Sequence, residues 1–479
     1  MRYFLRKSVF FILVVLLSAQ FAYSFEDDSY NTPDNWSQHI TAGRVIQSTT
    51  GVGLTDDTNL YTTLTTRLRL KSNEYADDSD VFQYVRMHTD PAALGQGTIK
   101  LSIYGRIADD LDGDSDKEWG NNYYYAQRDI LDAETGSDTL SGRLYQGNVL
   151  FDNVIKNTSL KLGRLYLDHL NTFQIDGGDA AVNIKDVAGL YAFGGQPVSY
   201  YYDLDDASVY GAGGFVKLGE DTRLQAEFTK IDTGDFEDDY TKARLVQLIP
   251  GGSVILGFER LNDSNTYSAD IDYSIAATGT IVTLGYKTLS DDLTGDKTYV
   301  TNPITYALMD QSRYNRYKAS VYQPFLKYFV AGFSYEAKDV SGEENFDNRD
   351  FKKYGFKFDI NGLITEDTYI SITVDKWDVE ENSEAQDNNS LMYGFQLSQK
   401  LSEEMDAYLG TSFSKYEYDY LTDTRKDSVR SYYVGCEYQA TETFGLIIDF
   451  SREDTDFYDD VDNDLSTSYV TEIWANLAF

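Results

Sequence analysis

A period-two alternation of apolar and polar residues runs along most of this chain and constrains its fold more than any other feature. The C-terminal segment 468–479 shows it most clearly. Tyr469, Ile473 and the final residue Phe479 share one parity, whereas Glu472 has the other. Because side chains alternate between the two faces of a β-strand, this segment is predicted to be a strand with one apolar and one polar face.

The same alternation recurs at short intervals through residues 36–479. Counting the alternating segments predicts about 22 strands, within a range of 18 to 24, each near the ~9–11 residues that a tilted strand needs to cross a bilayer. The segments 36–48 and 175–203 leave the exact number open. The predicted fold class is all-β, a single transmembrane antiparallel β-barrel with short periplasmic turns and long acidic extracellular loops. A propeller or solenoid is disfavoured, because no repeat of fixed period is visible.

Composition supports this fold and excludes several function classes. The chain has 40 Tyr and 26 Phe but only 6 Pro, which favours sheet. A net charge of -37 argues against nucleic acid as a partner, because phosphate contacts need clustered cations. The single cysteine, Cys436, rules out an intrachain disulfide and any site built from several cysteines, and we expect no cofactor. The parity of Cys436 matches Val434 and Tyr438, which predicts an outward, lipid-facing side chain.

Residues 1–24 have the pattern of a cleavable signal peptide. Arg2, Arg6 and Lys7 precede an apolar run, and small residues follow near position 24. Residues 25–35 are polar and are predicted to be a periplasmic segment. These features predict export and a barrel domain that comprises residues 36–479.

The C-terminal strand resembles the closing strand of Gram-negative outer-membrane β-barrels. In that family the barrel assembly machinery reads the terminal aromatic residue, so the resemblance implies that Phe479 is an assembly signal. It also implies a location in the outer membrane, with lipid and lipopolysaccharide as neighbours. Segments 162–166, 176–178 and 191–195 resemble porin-like proteins of environmental bacteria. Some barrels of this kind sheath a multihaem cytochrome in porin–cytochrome conduits.

The candidate pore-lining residues are charged side chains on the polar faces of predicted strands. Arginine on the lipid face costs roughly 2–4 kcal/mol at the bilayer midplane, so these side chains should face the lumen. Lumenal cations would favour anionic solutes. Alternatively, the arginines pair with acids such as Asp270 and Asp272 and brace the wall. The candidates are Arg67, Arg69, Lys71, Arg106, Arg164, Asp270 and Asp272.

An acidic cluster between two predicted strands resembles the start of a calcium-binding loop. It consists of Asp110, Asp112, Asp114 and Asp116. An EF-hand needs Gly at position six and an acid at position twelve, where this chain has Ser115 and Asn121. The cluster is therefore predicted to be an acidic surface loop, with weak cation binding as the alternative and no true metal site.

Catalysis is not expected. The chain has three histidines, and Asp168 with His169 is the one adjacent acid–histidine pair. Neighbouring residues on a strand point to opposite faces, and no further companion is evident. The sequence instead predicts a porin-like channel for small hydrophilic solutes, anionic ones in particular. The alternative is a structural sleeve for a periplasmic or multihaem cytochrome. A TonB-dependent transporter is disfavoured, because strands begin too early for a plug domain.

Overall fold

The computed structural model describes most of the chain from residue 52 onward. The described residues are 52–55, 58–73, 77–111, 140–185, 187–198, 207–232, 237–292, 312–341, 350–379, 388–420, 423–456 and 466–479. The predicted signal peptide 1–24, the segment 25–35, the candidate strand 36–48 and three carboxylates, Asp112, Asp114 and Asp116, lie outside these ranges.

The described residues form 24 β-strands. In chain order they are β1 Val52–Thr55, β2 Thr58–Asn73, β3 Asp77–Thr89, β4 Ala92–Leu94, β5 Gly97–Asp110, β6 Leu140–Asp152, β7 Thr158–Asp168, β8 Thr172–Ile184, β9 Ala188–Pro197, β10 Ser208–Leu218, β11 Thr222–Asp232, β12 Glu237–Ile249, β13 Gly252–Leu261, β14 Ser264–Ile275, β15 Thr280–Leu289, β16 Tyr314–Phe325, β17 Phe329–Val340, β18 Phe351–Asn361, β19 Thr368–Val379, β20 Asn388–Lys400, β21 Met405–Tyr420, β22 Asp423–Thr441, β23 Phe444–Asp456 and β24 Ser466–Ala478. Within the described ranges, no helix is long and apolar enough to cross a membrane.

Twenty-two of these strands close into one antiparallel barrel. Each barrel strand pairs with the next, and β2 pairs with β24 over the registers from Thr63 with Ala478 to Asn73 with Ser468. The short strands β1 and β4 pair only with β2 and β5, respectively, and β3 pairs directly with β5. The predicted fold class and strand number are confirmed. The uncertain segment 175–203 contains most of β8 and β9.

The two ends of the barrel differ in the length of their connections. At the short-turn end, turns such as 250–251 and 276–279 contain glycines with positive φ, Gly251 at 87° and Gly279 at 68°, a conformation that glycine adopts without strain. At the long-loop end lie the connections 111–139 and 290–313. The acidic segment 419–427 is mostly strand, and two residues, 421–422, separate β21 from β22.

The outer face of the wall is a broad apolar surface. Tyr267, Ile271, Leu284 and Phe333 are examples, and each is more than a third exposed. A water-soluble protein rarely exposes apolar patches larger than a few hundred Å², whereas a transmembrane barrel needs such a band around its circumference. Cys436 pairs with Ala407 and Ile448 on this same face, as its parity predicts. The outer face is therefore the face suited to lipid.

Candidate functional site in the barrel lumen

The hairpin of β7 and β8 leaves the barrel wall at its long-loop end. β7 pairs with β6 only between Ser159 and Arg164, but it pairs with β8 as far as Asp168 with Thr172. We call residues 164–176 the inner hairpin. In strand pairing, the inner hairpin is therefore joined to the wall through β8 alone, and the neighbouring half of β6 has no strand partner on that side within the described residues. Side-chain hydrogen bonds from Arg164 to the Leu144 carbonyl and from Gln174 to the Tyr145 carbonyl cross this gap.

Glu227 on β11 shows where the tip of the inner hairpin goes. Its carboxylate accepts hydrogen bonds from the backbone N–H of Leu170 at 2.9 Å, the backbone N–H of Asn171 at 3.2 Å and the Asn171 side-chain amide at 2.8 Å. Glu227 is 3% exposed, while its neighbour Phe228 is 42% exposed on the outer face. Since β9 and β10 lie between β8 and β11, the tip crosses their inner faces and lies inside the lumen.

An apolar layer holds the inner hairpin against the wall. Four of its side chains are at most 4% exposed, and they pack on inward residues of β9 to β12. Burying one such side chain contributes about 1.5–3 kcal/mol relative to leaving it exposed, so the layer stabilises the folded-in position strongly. The layer comprises Leu165, Leu167, Phe173 and Ile175 from the hairpin, and Tyr191, Phe193, Val209, Ile231 and Tyr240 from the wall.

His169 at the hairpin tip belongs to a stacked arrangement on the inner wall. Its ring lies 3.7 Å from the Tyr191 ring at an interplanar angle of 8°, and its Nε2 is 2.9 Å from an Asp179 carboxylate oxygen. The Tyr191 ring in turn covers Gly213, where a Cβ would lie 2.5 Å from ring atoms. Thus His169 contacts Asp179 rather than its sequence neighbour Asp168, and glycine makes room for the stack.

Glycines stand where the inner hairpin departs from the wall. Gly163 has φ of 119°, and a Cβ there would lie 2.2 Å from the Gly147 carbonyl oxygen. On the next two strands, a Cβ on Gly177 would meet the Gly194 oxygen at 2.1 Å, and one on Gly195 would meet the Asp176 oxygen at 2.4 Å. Side chains at these positions would displace the backbone, so the inward bend depends on glycine.

Substitution of Gly163 by valine should therefore impair formation of the barrel. A β-branched residue is a conformational outlier at positive φ, and its side chain would also clash with β6. We expect a clearly reduced yield of folded barrel after refolding in detergent. The yield is measured from the heat-modifiable electrophoretic mobility of the folded form. The control is Gly142→Val, since Gly142 has open space around an added Cβ. Equal yields for both variants would contradict the role given to Gly163.

The predicted arginines of β2 lie on the inner face, next to the closure between β24 and β2. Arg69 donates two hydrogen bonds to Asp80, at 3.0 and 2.8 Å, and both side chains are at most 5% exposed. Arg67 forms an ion pair with Glu472 of β24, and Lys71 lies 3.1 Å from Asp78. We call the set Arg67, Arg69, Lys71, Asp78, Asp80 and Glu472 the closure cluster. It joins β24, β2 and β3 by buried ion pairs.

Phe82 forms the aromatic centre of this region. The guanidinium groups of Arg67, Arg69 and Arg106 lie 5.3, 5.1 and 5.5 Å from its ring centroid. Arg67 also lies 4.8 Å from the ring of Trp474. Cation–π contacts strengthen when they are desolvated, so these arginines are fixed in the wall. Their geometry is that of arginines that brace the wall, which was the alternative to a role in ion selectivity. The role in selectivity stays a prediction.

The remaining predicted pore residues lie apart from the closure cluster. Arg164 forms a bidentate pair with Asp176 at 2.8 and 2.6 Å, at the base of the inner hairpin. Asp270 lies beside Gly285, and Asp272 accepts a hydrogen bond from Thr283 at 2.9 Å. The suggested pairing of the arginines with Asp270 and Asp272 is not observed, because β14 lies on another part of the wall.

Two further predicted residues lie at opposite ends of the wall. Asp110 is 4% exposed and stands opposite Asp80 in the sheet, so it belongs to the inner wall rather than to a surface loop. Phe479 exchanges two backbone hydrogen bonds with Thr62, at 2.7 and 2.9 Å. The terminal residue therefore completes the pairing of β24 with β2, while its role as an assembly signal stays a prediction.

Several solved structures are similar to this chain over most of its length. OccK3 (OpdO) of Pseudomonas aeruginosa aligns at 11% identity over 90% of this chain and 98% of that chain, with a TM-score of 0.44. OccAB3 of Acinetobacter baumannii aligns at 13% identity over 89% of this chain and 100% of that chain, with a TM-score of 0.42. The translocation pore of the P pilus usher PapC aligns at 9% identity over 87% of this chain and 99% of that chain, with a TM-score of 0.44. No protein-family model and no curated sequence matches the chain.

This chain has the fold of a transmembrane antiparallel β-barrel. The closed wall of 22 strands and the apolar outer face define that architecture independently of any sequence match. Its lumen contains the inner hairpin on one side and the closure cluster on another.

Proposed function

We propose that this barrel is a porin-like channel for passive diffusion of small hydrophilic solutes across the outer membrane. The observation that carries the proposal is the inner hairpin. A segment that packs tightly on the inner wall, anchored by Glu227 and an apolar layer, narrows a lumen without replacing its polar lining. Pore diameter and the groups lining the pore set which solutes pass. A constriction of this kind selects solutes by size and polarity, and it needs no catalytic group.

The proposed location follows from the outer face and from the predicted export signal. The apolar surface needs a hydrocarbon environment, and residues 1–24 would direct the chain to the secretory route. Insertion would then use the barrel assembly machinery, with Phe479 as part of the recognised strand. Lipid would contact the apolar band, and lipopolysaccharide would border the long-loop end.

The sleeve for a multihaem cytochrome is the second candidate. A partner inside this barrel would have to share the lumen with the inner hairpin, whose layer residues are fully packed against the wall. This arrangement favours small solutes over a protein in the lumen.

Conductance of the purified protein in a planar bilayer tests the proposal. We expect stable, stepwise openings whose reversal potential in a salt gradient reports an anion preference. A folded barrel that conducts no ions would refute the channel. Haem absorbance that co-purifies with the barrel would favour the sleeve instead, and cation preference would retain the channel but refute the proposed anionic solutes.

A further inference from the structure

Three cations stand directly opposite one another on the inner wall of β15, β16 and β17. Lys287 pairs in register with Arg316, and Arg316 pairs with Lys338. All three share the inward parity, because the outer-face residues Tyr286 and Tyr317 flank them in sequence and are 37% and 43% exposed. The row lies two residues from the strand termini at the long-loop end.

A second row of charges lies one step closer to the middle of the barrel. Lys318 pairs in register with Glu336, which pairs with Lys353 on β18. The ion pair of Arg316 with Glu336, at 2.5 Å, joins the two rows. The first row places cations on three neighbouring strands, and the second places them on β16 and β18, on either side of Glu336. We call Lys287, Arg316, Lys318, Lys338 and Lys353 the basic patch.

Direct ion pairing in the basic patch is limited to one carboxylate within the described residues, Glu336, which is bound to Arg316. Further carboxylates lie at the border of the patch, with Asp270 beside Gly285 and Lys318, Asp350 near Lys338 and Asp375 near Lys353. Lys338 and Lys353 lie 4.6 and 4.7 Å from the ring centroids of Tyr314 and Trp377. Within the described ranges, neither Lys287 nor Lys318 forms an ion pair. The closure cluster is the opposite case, because every β2 cation there has its own carboxylate.

Like charges directly opposite one another destabilise a sheet, so this arrangement costs stability in the empty barrel. A bound anion would offset the repulsion. Neighbouring strands lie about 4.8 Å apart, so the row of three cations spans roughly 10 Å across the wall. A monovalent anion can neutralise one side chain at a time, whereas an anion with several charged groups can contact adjacent cations together.

We propose that the basic patch is a binding site for small solutes that carry two or more carboxylate or phosphate groups. The inference rests on the proposed channel function and adds to it the class of solute and the place of recognition. Lys287, Lys318 and Lys353 donate hydrogen bonds to the anion, and Arg316 binds it bidentately once it exchanges Glu336 for the ligand. The aromatic rings of Tyr314 and Trp377 position Lys338 and Lys353.

Block of the channel current by citrate tests the site. The probes are citrate, inorganic phosphate and acetate, each added at the long-loop side of the reconstituted barrel. We expect citrate to block most strongly, phosphate less and acetate least. The double variant Lys318→Gln/Lys353→Gln should raise the citrate concentration for half-block on the order of tenfold, because multidentate charge contacts are lost.

Lys357→Gln is the matched control. Lys357 shares the inner face of β18 with Lys353 but is paired with Asp359 at 3.2 Å, so its removal should leave citrate block unchanged. Equal citrate sensitivity of the wild type and the double variant would overturn the site while the conductance itself upholds the channel. An absence of conductance in both would instead refute the channel. Stronger block by acetate than by citrate would overturn the proposal that the site prefers solutes with two or more anionic groups.

Discussion

Replacing Glu227 by alanine is expected to release the tip of the inner hairpin and enlarge the open channel. Glu227 accepts hydrogen bonds from two backbone N–H groups, the Asn171 amide and the Tyr191 hydroxyl. A buried donor left without a partner costs about 1–3 kcal/mol, so leaving several donors without their shared acceptor offsets much of the apolar packing. The base of the hairpin stays joined to the wall by the pairing of β8 with β9. We therefore expect the tip to open and close rather than to leave permanently.

Single-channel recording distinguishes these outcomes. The Glu227→Ala channel should fluctuate between the wild-type level and a level about twofold larger, since pore width sets conduction. Glu259→Ala is the control, because Glu259 also faces inward but is 45% exposed and lies 3.4 Å from Lys242. A Glu227→Ala channel with one steady level of wild-type size would show that the hairpin does not limit the pore.

The second large effect is expected at the closure cluster. Arg69→Ala leaves Asp80, whose side chain is 1% exposed, without the guanidinium that donates two hydrogen bonds to one of its oxygens. Breaking a buried ion pair by removing one member typically costs about 3–5 kcal/mol. Because Arg69 lies on β2, beside the junction that closes the barrel, the loss should weaken closure itself. We expect the temperature at which the folded barrel converts to the slow-migrating, unfolded form to fall markedly.

Two further variants make this prediction specific. Arg69→Met combined with Asp80→Leu removes both charges, and such replacements are often neutral or stabilising, so the double variant should regain much of the lost stability. Arg260→Ala removes an exposed partner of Asp263, in a pair of 52% and 103% exposure, and should change little. If the double variant were as unstable as Arg69→Ala, packing of the guanidinium on Phe82 would matter more than the ion pair.

Much of the wall could be predicted from parity alone. The alternation that places Arg67 and Arg69 opposite a leucine row follows from strand geometry, which is a local property. The same reasoning placed Cys436 on the outer face. The strand number followed from counting alternating segments, because each must be long enough to cross a bilayer.

The contents of the lumen could not be obtained in that way. Leu165 and Leu167 alternate as lipid-facing residues do, yet they are buried inside the barrel. An alternating pattern specifies two faces but not what each face meets, and a segment that folds over the inner wall satisfies the pattern equally well. One signal was available in retrospect. Gly211 and Gly213 have the same spacing as Tyr191 and Phe193, the rings that cover them.

The basic patch was missed for a related reason. Lys287, Arg316 and Lys338 lie far apart in sequence, and each alone is an ordinary polar-face residue. Only the register between strands puts them opposite one another, and register depends on turns and loops of very different length. The sequence by itself determined a barrel, its approximate strand number and which residues face inward, because side-chain alternation is local. The tertiary structure decided which inward charges are paired, which stand together and which segment narrows the lumen, because those contacts join strands distant in the chain.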